Sequence, residues 1–251
     1  MKITILGCGT STGVPRIGGN WGVCDPNNPK NRRRRASILI EDQATKILID
    51  TTPDLREQCL SANICHLDGV LYTHDHADHT HGIDDLRGLY HIMKRRIEAY
   101  GNAETMAVLK RRFGYIFQSR DGYPAILNGH DITCREFNIG ALPVQPFELI
   151  HGGMKTLAFR LNKIVYATDF NAIPEESEIY LRGLDLWIVD ALRPEPHPTH
   201  SHLAQTLDWI EKFKPKRAIL THMTGDMDYE TLKNSLPKHI EPAYDGMVID
   251  L

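Results

Sequence analysis

The segment from His74 to His79 constrains this chain more than any other, because it places three histidines and two aspartates within six positions, directly after a short apolar run. Side chains alternate along an extended chain, so His74 and His76 lie on the same side and can bind one ion together. Asp78 and His79 come in the next turn and face a second ion. The alternative is a chance cluster with Asp78 as a helix N-cap, and the density of ligand-type side chains disfavours it. The segment therefore predicts a metal centre.

Four more ligand-type residues each end an apolar run elsewhere in the sequence: Asp50, His151, Asp169 and His222. Active-site groups often converge at the ends of strands along one rim of a sheet. Each residue alone is weak evidence. Together with the first segment they supply enough side chains for two ions, which take about three or four protein ligands each. A mixed histidine and carboxylate set suits zinc, manganese or iron, so we expect two divalent ions of one of these metals.

The bulk composition excludes several classes of protein. With 41% hydrophobic and 24% charged residues, the chain is typical of a soluble globular protein. Five cysteines without a CxxC pair argue against a disulfide framework and against a four-cysteine zinc module. No apolar stretch is long enough to cross a membrane, and Met1–Gly7 is typical of a short strand rather than a signal sequence. A cytoplasmic protein that does not bind a membrane is therefore expected.

The formal net charge of -3 offers no broad positive field for DNA or RNA, so no stable nucleic-acid complex is expected. One local exception is the run of four arginines from Arg32 to Arg35, just before the apolar run Ala36–Ile40. A solvated basic edge is the favoured interpretation of these arginines, and a phosphate-binding role is the alternative. The glycine-rich segment Gly7–Gly13 is either a tight turn or a set of backbone N–H groups that approach an anion.

Hydrophobic periodicity predicts strands and helices that come in groups rather than in strict alternation. The predicted strands are Ile3–Leu6, Ser37–Ile40, Lys46–Ile49 and Gly69–Tyr72, followed by Ile132–Phe137, Val144–Ile150, Thr156–Leu161, Ile164–Ala167, Leu186–Val189, Ala218–Leu220 and Met247–Ile249. The predicted helices are Pro53–Ser61, Asp84–Met93, Ala103–Phe113, Glu175–Arg182, Leu203–Phe213 and Tyr229–Ser235. The two groups of strands indicate two sheets in a layered α+β fold, and a single domain over residues 1–251 is expected.

The sequence resembles the metallo-β-lactamase superfamily, whose HxHxDH signature is found here from His74 to His79. The resemblance covers nearly the whole chain and implies an αββα sandwich of two mixed β-sheets flanked by helices. It also implies a set of metal ligands, with His74, His76 and His151 on the first ion, Asp78, His79 and His222 on the second, and Asp169 between both. By the same likeness, Asp50 orders the ligand loop without being a ligand.

Motifs near both ends of the chain make this resemblance more specific. The opening Gly7–Pro15 and the closing Tyr244–Met247 are similar to the PhnP-type cyclic phosphodiesterases. These enzymes open ribosyl cyclic phosphates and 2',3'-cyclic nucleotides, which implies a small phosphodiester or a nucleotide-like substrate. The segment Thr199–His202 falls where that family has an active-site histidine. His200 is the positional match, and His202 is the alternative.

The resemblance also implies how the reaction proceeds. Two ions about 3.5 to 4 Å apart would activate a water, and His200 would protonate the departing oxygen or hydrogen-bond the phosphate. His200 and Asp78 are the expected catalytic residues. The segment Trp21–Pro26 departs from the PhnP pattern, because it has one cysteine where a structural zinc site needs several. No structural zinc is therefore expected there, and the chain is expected to belong to a sister group.

The predicted function is a dinuclear metal-dependent phosphodiesterase, and there are three alternatives to it. A tRNA 3'-processing endonuclease shares the metal core, but it implies a long basic, glycine-rich arm that this sequence lacks. A thioester or β-lactam hydrolase ranks third. A metal-binding module without catalysis is disfavoured, because all seven candidate ligands are present. The side chains that select the substrate are expected in loops at residues 15–35 and 95–129, and a homodimer is one candidate assembly.

Overall fold

The computed structural model describes residues 1–251 and contains two β-sheets of seven strands each. The strands are β1 (Lys2–Gly7), β2 (Ser37–Asp42), β3 (Thr45–Ile49), β4 (Gly69–Leu71), β5 (Ile97–Gly101), β6 (Leu127–Asp131), β7 (Phe137–Ile139), β8 (Leu142–His151), β9 (Met154–Leu161), β10 (Ile164–Ala167), β11 (Leu186–Asp190), β12 (Arg217–Thr221), β13 (Ile240–Pro242) and β14 (Val248–Asp250). The first sheet has the order β14-β1-β2-β3-β4-β5-β6, and the second has the order β13-β12-β11-β10-β9-β8-β7.

Both sheets combine an antiparallel half with a parallel half. In the first sheet β14, β1, β2 and β3 are antiparallel, and β4, β5 and β6 continue parallel to β3. In the second sheet β7 to β10 are antiparallel, and β11, β12 and β13 continue parallel to β10. Parallel neighbours need long crossover connections, and these contain the helices. The αββα sandwich of two mixed sheets is confirmed.

The helices lie in the crossovers between parallel strands. They are α1 (Leu55–Ser61), α2 (Ala77–Thr80), α3 (Leu86–Met93), α4 (Ala103–Arg112), α5 (Gly114–Phe117), α6 (Leu203–Phe213) and α7 (Tyr229–Ser235). Helices α6 and α7 have the predicted bounds. The side chain of Asn102 begins α4 by accepting a hydrogen bond from the Thr105 N–H at 2.8 Å. None of the helices has the length and hydropathy that crossing a bilayer requires.

The main hydrophobic core contains 41 buried residues from both sheets. Ile5, Ile38 and Ile49 belong to the first sheet, and Phe147 and Trp187 belong to the second. A second cluster of 18 residues joins the first sheet to α1, α3 and α4. Each fully buried leucine or isoleucine stabilises the fold by about 1.5–3 kcal/mol, so these two layers hold the rim loops in fixed positions.

Several sequence predictions were wrong in detail. The predicted strand Ile132–Phe137 is largely the connection between the two sheets, because β6 ends the first sheet and β7 begins the second. The predicted strand Met247–Ile249 corresponds to β14, which pairs with β1 in the first sheet rather than joining the second series. Residues 95–129 are not a loop, since they contain β5, α4, α5 and the first residues of β6. The segment Glu175–Leu181 is a 3-10 helix.

The arginine run is the solvated edge that the sequence favoured only in part, since Arg32 is exposed but Arg33 is buried. Arg33 is 2% exposed, and its guanidinium donates hydrogen bonds to the carbonyl oxygens of Thr224 and Met227. Arg34 pairs with Asp245 at 3.0 Å. A buried guanidinium is tolerated where carbonyl oxygens accept its N–H groups, so Arg33 fastens the β1–β2 connection to the segment after β12.

Asp228 begins α7 and ties it to the N-terminal half. It accepts hydrogen bonds from the Thr231 N–H at 3.0 Å and from the Asn31 side-chain amide at 2.7 Å. Partial burial acts to raise the pKa of Asp228, but these donors lower it to about 2 from the ordinary value of 3.8. The carboxylate is therefore ionised at all but very acidic pH.

We expect Asp228→Ala to lower the free energy of unfolding by about 1–2 kcal/mol at pH 7, because the N-cap is lost. The folded-state pKa lies below the unfolded value, so the stabilisation is present above pH 3.8 and is lost as the pH falls through 2. Urea unfolding at pH 7 and at pH 3 measures the difference. The exposed Glu211→Ala is the control. If Asp228→Ala lowers the free energy of unfolding equally at both pH values, the charge of Asp228 does not contribute to stability.

Candidate metal centre

The candidate ligands converge at one rim of the sandwich, because each follows or ends a strand that points towards that rim. Asp50 follows β3, and the segment from His74 to His79 follows β4. His151 ends β8, Asp169 comes two residues after β10, and His222 follows β12. Asp50, Asp169 and His222 have φ values of 65°, 55° and 59°, a left-handed conformation that is strained for residues other than glycine. Such strain is found where function requires a fixed side-chain direction.

The first group of potential ligands consists of His74, His76, His151 and Asp169. One donor atom from each of these residues lies within 4.8 Å of the others. His74 Nε2 is 3.8 Å from Asp169 Oδ2. His76 is the least buried of the four, so this group opens to solvent on the His76 side.

The second group consists of Asp78, His79, Asp169 and His222, again within 4.8 Å. His79 Nε2 is 3.2 Å from Asp169 Oδ1 and 3.3 Å from Asp78 Oδ2. His222 Nε2 is 3.4 Å from Asp169 Oδ1. Asp169 directs Oδ2 to the first group and Oδ1 to the second, and it is the carboxylate that the two groups share.

Hydrogen bonds at the far ring nitrogens determine where the imidazole protons lie. Thr73 Oγ1 donates its only proton to Asp50 Oδ2 at 2.8 Å, so it accepts from His74 Nδ1 at 3.0 Å. His79 Nδ1 donates to Asp50 Oδ2 at 2.8 Å, and His151 Nδ1 donates to the Thr199 carbonyl oxygen at 2.7 Å. Each of these rings therefore presents the lone pair of Nε2 to the centre, which is the form that binds a metal.

The residues fit a divalent cation. His74 Nε2, His79 Nε2 and His222 Nε2 are buried and make no hydrogen bond. A buried polar atom without a partner is costly, and three of them that face the same carboxylates indicate a cation between them. Nitrogen and carboxylate oxygen donors suit a divalent transition metal.

The charges at the site couple metal binding to proton release. Burial acts to lower the pKa of His79 and His222, but Asp169 and the other carboxylates around them outweigh it. The pKa of His222 is raised to about 9, and that of His79 is also raised. Burial acts to raise the pKa of Asp78, and the imidazoles of His79 and His222 lower it below its ordinary value. A divalent cation therefore competes with protons for this site, and its affinity rises with pH.

Asp50 lies beneath the ligand loop and positions it. Asp50 is fully buried, and its carboxylate accepts from the Thr73 N–H at 2.9 Å, the Thr73 hydroxyl and the His79 ring. The next residue, Thr51, donates its N–H to the His79 carbonyl oxygen at 2.8 Å. Asp50 is not a member of either group of potential ligands. The resemblance assigned it this ordering role.

We expect Asp50→Asn to weaken metal affinity or activity by about 10- to 100-fold, because a neutral amide no longer fixes the proton on His79 Nδ1. Metal titration by calorimetry, with hydrolysis rates at saturating metal, measures the change. The control is Asp42→Asn at the end of β2, away from the metal centre. If Asp50→Asn retains wild-type metal affinity and activity, the hydrogen bonds of Asp50 do not position the ligands.

His200 lies beside both groups, as the sequence indicated. Its ring is stacked on His222 with centroids 4.9 Å apart, and it lies 4.6 Å from His151. His200 Nδ1 is 3.1 Å from Asp190 Oδ2. His202, the alternative, is instead the N-cap residue of α6 and belongs to neither group of potential ligands.

Sequence reasoning missed Asp190. This fully buried residue ends β11 and accepts from His200 while its Oδ1 lies 3.7 Å from His222 Nδ1. The signal was present, since Asp190 ends the apolar run Leu186–Val189 just as Asp50 ends another. The structure adds that Asp190 orients His200 and lies against a potential metal ligand.

The backbone of the glycine-rich segment is engaged within the chain. Cys8 N–H donates to Asp245 Oδ1, Gly9 N–H donates to the Arg34 carbonyl oxygen, and Thr10 N–H donates to the Met223 carbonyl oxygen. These three donors are not free to bind an anion. These hydrogen bonds therefore favour the tight-turn interpretation for this part of the segment. The bond from Thr10 to Met223 also holds the backbone next to His222.

Comparisons with known proteins agree with this fold. Residues 45–223 match a family model described as the beta-lactamase superfamily domain. A crystal structure of a new diphosphatase from the PhnP family has 39% sequence identity and a TM-score of 0.92, covering 99% of this chain and 96% of that one. The short form of human tRNase Z has 18% identity and a TM-score of 0.71, covering 100% of this chain and 99% of that one, and this likeness shows the fold alone.

One curated relative is much longer than this chain. A Porphyromonas gingivalis protein named octanoyltransferase is 33% identical over 253 residues, which cover 98% of this chain and 51% of that protein. The chain therefore spans about half the length of the curated relative it matches.

Proposed function

The chain belongs to the beta-lactamase superfamily as a metal-dependent hydrolase, and from this we propose that it is a dinuclear phosphodiesterase for small cyclic or nucleotide-like phosphodiesters. The coarser activity, that of a phosphoesterase with the metallo-β-lactamase fold, is shared with a PhnP-family neighbour. That the substrate is small and that the site holds two ions are parts of the proposal.

One observation carries the proposal: two groups of potential ligands share Asp169, and buried Nε2 atoms in both groups lack hydrogen bonds. In our assignment His74, His76 and His151 bind one ion, Asp78, His79 and His222 bind the other, and Asp169 bridges them. Zinc and manganese are the favoured metals, and iron also suits these donors. When bound, two such ions supply an activated water and neutralise charge on the phosphoryl oxygens.

His200 donates a proton to the leaving oxygen. Asp190 holds its Nδ1 at 3.1 Å, which leaves Nε2 as the ring nitrogen available to the substrate. The His200 side chain is 13% exposed, so it is screened from bulk water yet accessible from the rim. Asp78, as a ligand of one ion, acts through the metal centre rather than as an independent acid.

We expect His200→Ala to lower kcat by about 100-fold on a diester with a poor leaving group, because general acid catalysis contributes about 10²–10⁴. The loss is smaller with a p-nitrophenyl ester, whose leaving group needs no proton. His202→Ala is the matched control and retains wild-type turnover. Full turnover by His200→Ala on the poor leaving group would exclude the acid role.

A second candidate is hydrolysis of a diphosphate bond, because the neighbour at 39% identity is described as a diphosphatase. The chemistry is closely related, since both reactions displace an oxygen from phosphorus next to the metal ions. A tRNA 3'-processing activity is supported only by the shared fold. Thioester hydrolysis stays among the alternatives, since the longer relative is named octanoyltransferase.

The test is a panel of substrates with the manganese- and zinc-loaded protein. It contains bis(p-nitrophenyl) phosphate, 2',3'-cyclic nucleotides, a nucleoside diphosphate, precursor tRNA, an octanoyl thioester and a chromogenic β-lactam. Elemental analysis of the same samples counts the ions per chain. The matched controls are the chelated protein and His202→Ala.

The outcomes separate the candidates. Turnover of the first two substrates with two ions per chain supports the proposal. Turnover of the nucleoside diphosphate alone replaces it with the diphosphatase. Inactivity on every phosphate compound, with two ions bound, overturns the proposal, and a single ion per chain overturns the dinuclear assignment.

A further inference from the structure

The C-terminal end of α4 lies against the outer side of the ligand loop, residues 74–79, and the proposed reaction gives it no role. The Arg112 guanidinium donates through Nη1 to the Asp75 carbonyl oxygen at 2.6 Å, and its Nη2 lies 3.3 Å from Asp75 Oδ2. The next residue, Phe113, packs edge-on against His81, with ring centroids 5.5 Å apart. Asp75 precedes α2 and His81 follows it, so α4 contacts the ligand loop on both sides of α2.

The sequence of α4 directs Arg112 towards this contact. Met106 and Leu109 are buried in the second hydrophobic cluster, so they determine which face of α4 packs on the first sheet. Residues three or four positions apart lie on the same face of a helix, and Arg112 follows Leu109 by three positions. Its side chain therefore extends from the end of the buried face, where it reaches the backbone of Asp75.

His76 is the candidate ligand that depends most on its backbone for orientation. It is the least buried residue of the first group. The rings of three other candidate ligands each make a hydrogen bond through Nδ1, whereas the His76 ring makes none. The Thr80 hydroxyl donates to the His76 carbonyl oxygen at 2.8 Å, and Arg112 holds the carbonyl of the residue before it. These two side chains therefore fix the direction in which His76 leaves the loop.

Arg112 holds a part of the ligand loop that Asp50 does not reach. Asp50 accepts hydrogen bonds from Thr73 and His79 on the inner side of the loop, and none of its bonds extends to Asp75. The Arg112–Asp75 ion pair is 39% and 22% exposed, and a pair at such a position contributes little by itself. The bond from the guanidinium to the carbonyl oxygen is the stronger constraint, because its donor is charged and it holds the backbone directly.

We propose that Arg112 is a positioning residue for the first ion, because it holds the Asp75 backbone and thereby fixes the direction of the His76 ring. This inference rests on the proposed function, since it uses the assignment of two ions to two groups of ligands. It deepens that assignment by giving the two groups different supports. Loss of the Arg112 guanidinium therefore weakens binding of the first ion and leaves binding of the second unchanged.

The binding test is a titration with cobalt(II), whose visible absorption depends on the geometry of its ligands. Arg112→Gln is expected to bind the first ion about tenfold more weakly, which is the lower end of the range for groups that support a metal ligand. Its affinity for the second ion stays at the wild-type value. His76→Gln and His222→Gln supply reference spectra in which the first or the second ion is lost. The absorption that weakens in Arg112→Gln is the one that His76→Gln lacks.

Two further variants separate positioning of the loop from stabilisation of the helix end, where any cation interacts favourably with the last carbonyl groups. Arg111→Gln removes the same charge from the neighbouring residue, which is exposed and makes no ion pair, and it retains wild-type affinity for both ions. Arg112→Lys keeps the charge but has one nitrogen in place of the guanidinium fork, so it restores only part of the affinity. Full restoration by lysine, or an equal loss in Arg111→Gln, assigns the effect to the helix end and overturns the inference.

Amide hydrogen exchange of the metal-free protein separates failure of this inference from failure of the proposed function. Exchange over residues 73–81 is expected to be faster in Arg112→Gln than in Arg111→Gln, because the loop has lost its outer support. That result supports the positioning role even if no phosphodiester is hydrolysed or only one ion binds. Equal exchange in the two variants overturns the inference, as does wild-type cobalt affinity or an equal weakening of both ions in Arg112→Gln.

Discussion

Replacing Asp169 with asparagine is expected to lower phosphodiester turnover by about 10³-fold or more, because the residue serves both ions in our assignment. Removing a group that only supports a ligand costs about 10- to 100-fold, and Asp169 faces both groups of ligands directly. Its Oδ1 lies 3.2 Å from His79 Nε2 and its Oδ2 lies 3.8 Å from His74 Nε2. A neutral amide has one good acceptor oxygen instead of two, and it removes one negative charge from a buried site.

The measurement combines elemental analysis with kcat on a 2',3'-cyclic nucleotide. We expect Asp169→Asn to retain fewer ions per chain than the wild type after gel filtration. Asp185→Asn, before the start of β11 and paired with Lys216, is the matched control and retains both ions. Two tightly bound ions together with wild-type turnover in Asp169→Asn would show that this carboxylate does not bridge the ions.

The second large effect concerns stability. Trp187→Ala is expected to lower the free energy of unfolding by about 3–5 kcal/mol, the usual range for a buried tryptophan or phenylalanine. Trp187 is fully buried in β11, between β10 and β12, and its ring packs edge-on against Phe213 of α6 with centroids 5.9 Å apart. Because β11 is paired with a strand on each side, its backbone cannot move to fill the cavity that the substitution leaves.

Urea unfolding of the metal-free protein measures this loss without a contribution from metal binding. Ile179→Ala is the control, because Ile179 is 64% exposed and loses little on truncation. A loss below about 1 kcal/mol in Trp187→Ala means that the core around β11 repacks freely.

The sequence predicted the parts of the fold whose periodicity is strong. Helix α6 has an apolar stripe at helical spacing, and its predicted bounds Leu203–Phe213 were correct. Strands β5 and β6 were missed because their sequences contain glycine, charged and polar residues that disfavour strands in isolation. They form because each pairs in parallel with a neighbour, which is a contact that local sequence does not encode.

The candidate site was predictable where a local signal existed. The segment His74–His79 and the strand-end residues His151, Asp169 and His222 were identified from position alone. The structure brings their ligand-type side chains, except that of Asp75, within 4.8 Å in two groups, whereas the strand-end Asp50 lies outside both. The burial of Arg33 was not predictable. A run of arginines is usually solvated, and the carbonyl oxygens that receive this guanidinium come from residues 191 and 194 positions later in the chain.

Pairing of β1 with β14 brings the two chain ends together. The Met1 amino group donates to the Leu251 carbonyl oxygen at 2.9 Å, and the Leu251 N–H donates back to Met1 at 3.0 Å. Strand β1 runs from this contact to Gly7, near the metal centre, so the ends lie at the opposite end of the strand from the ligands. A short peptide can close the chain into a ring, and new ends opened at the turn Gln43–Ala44 also lie away from the ligands. The molecule is accordingly a suitable scaffold for circular permutation with its catalytic rim intact.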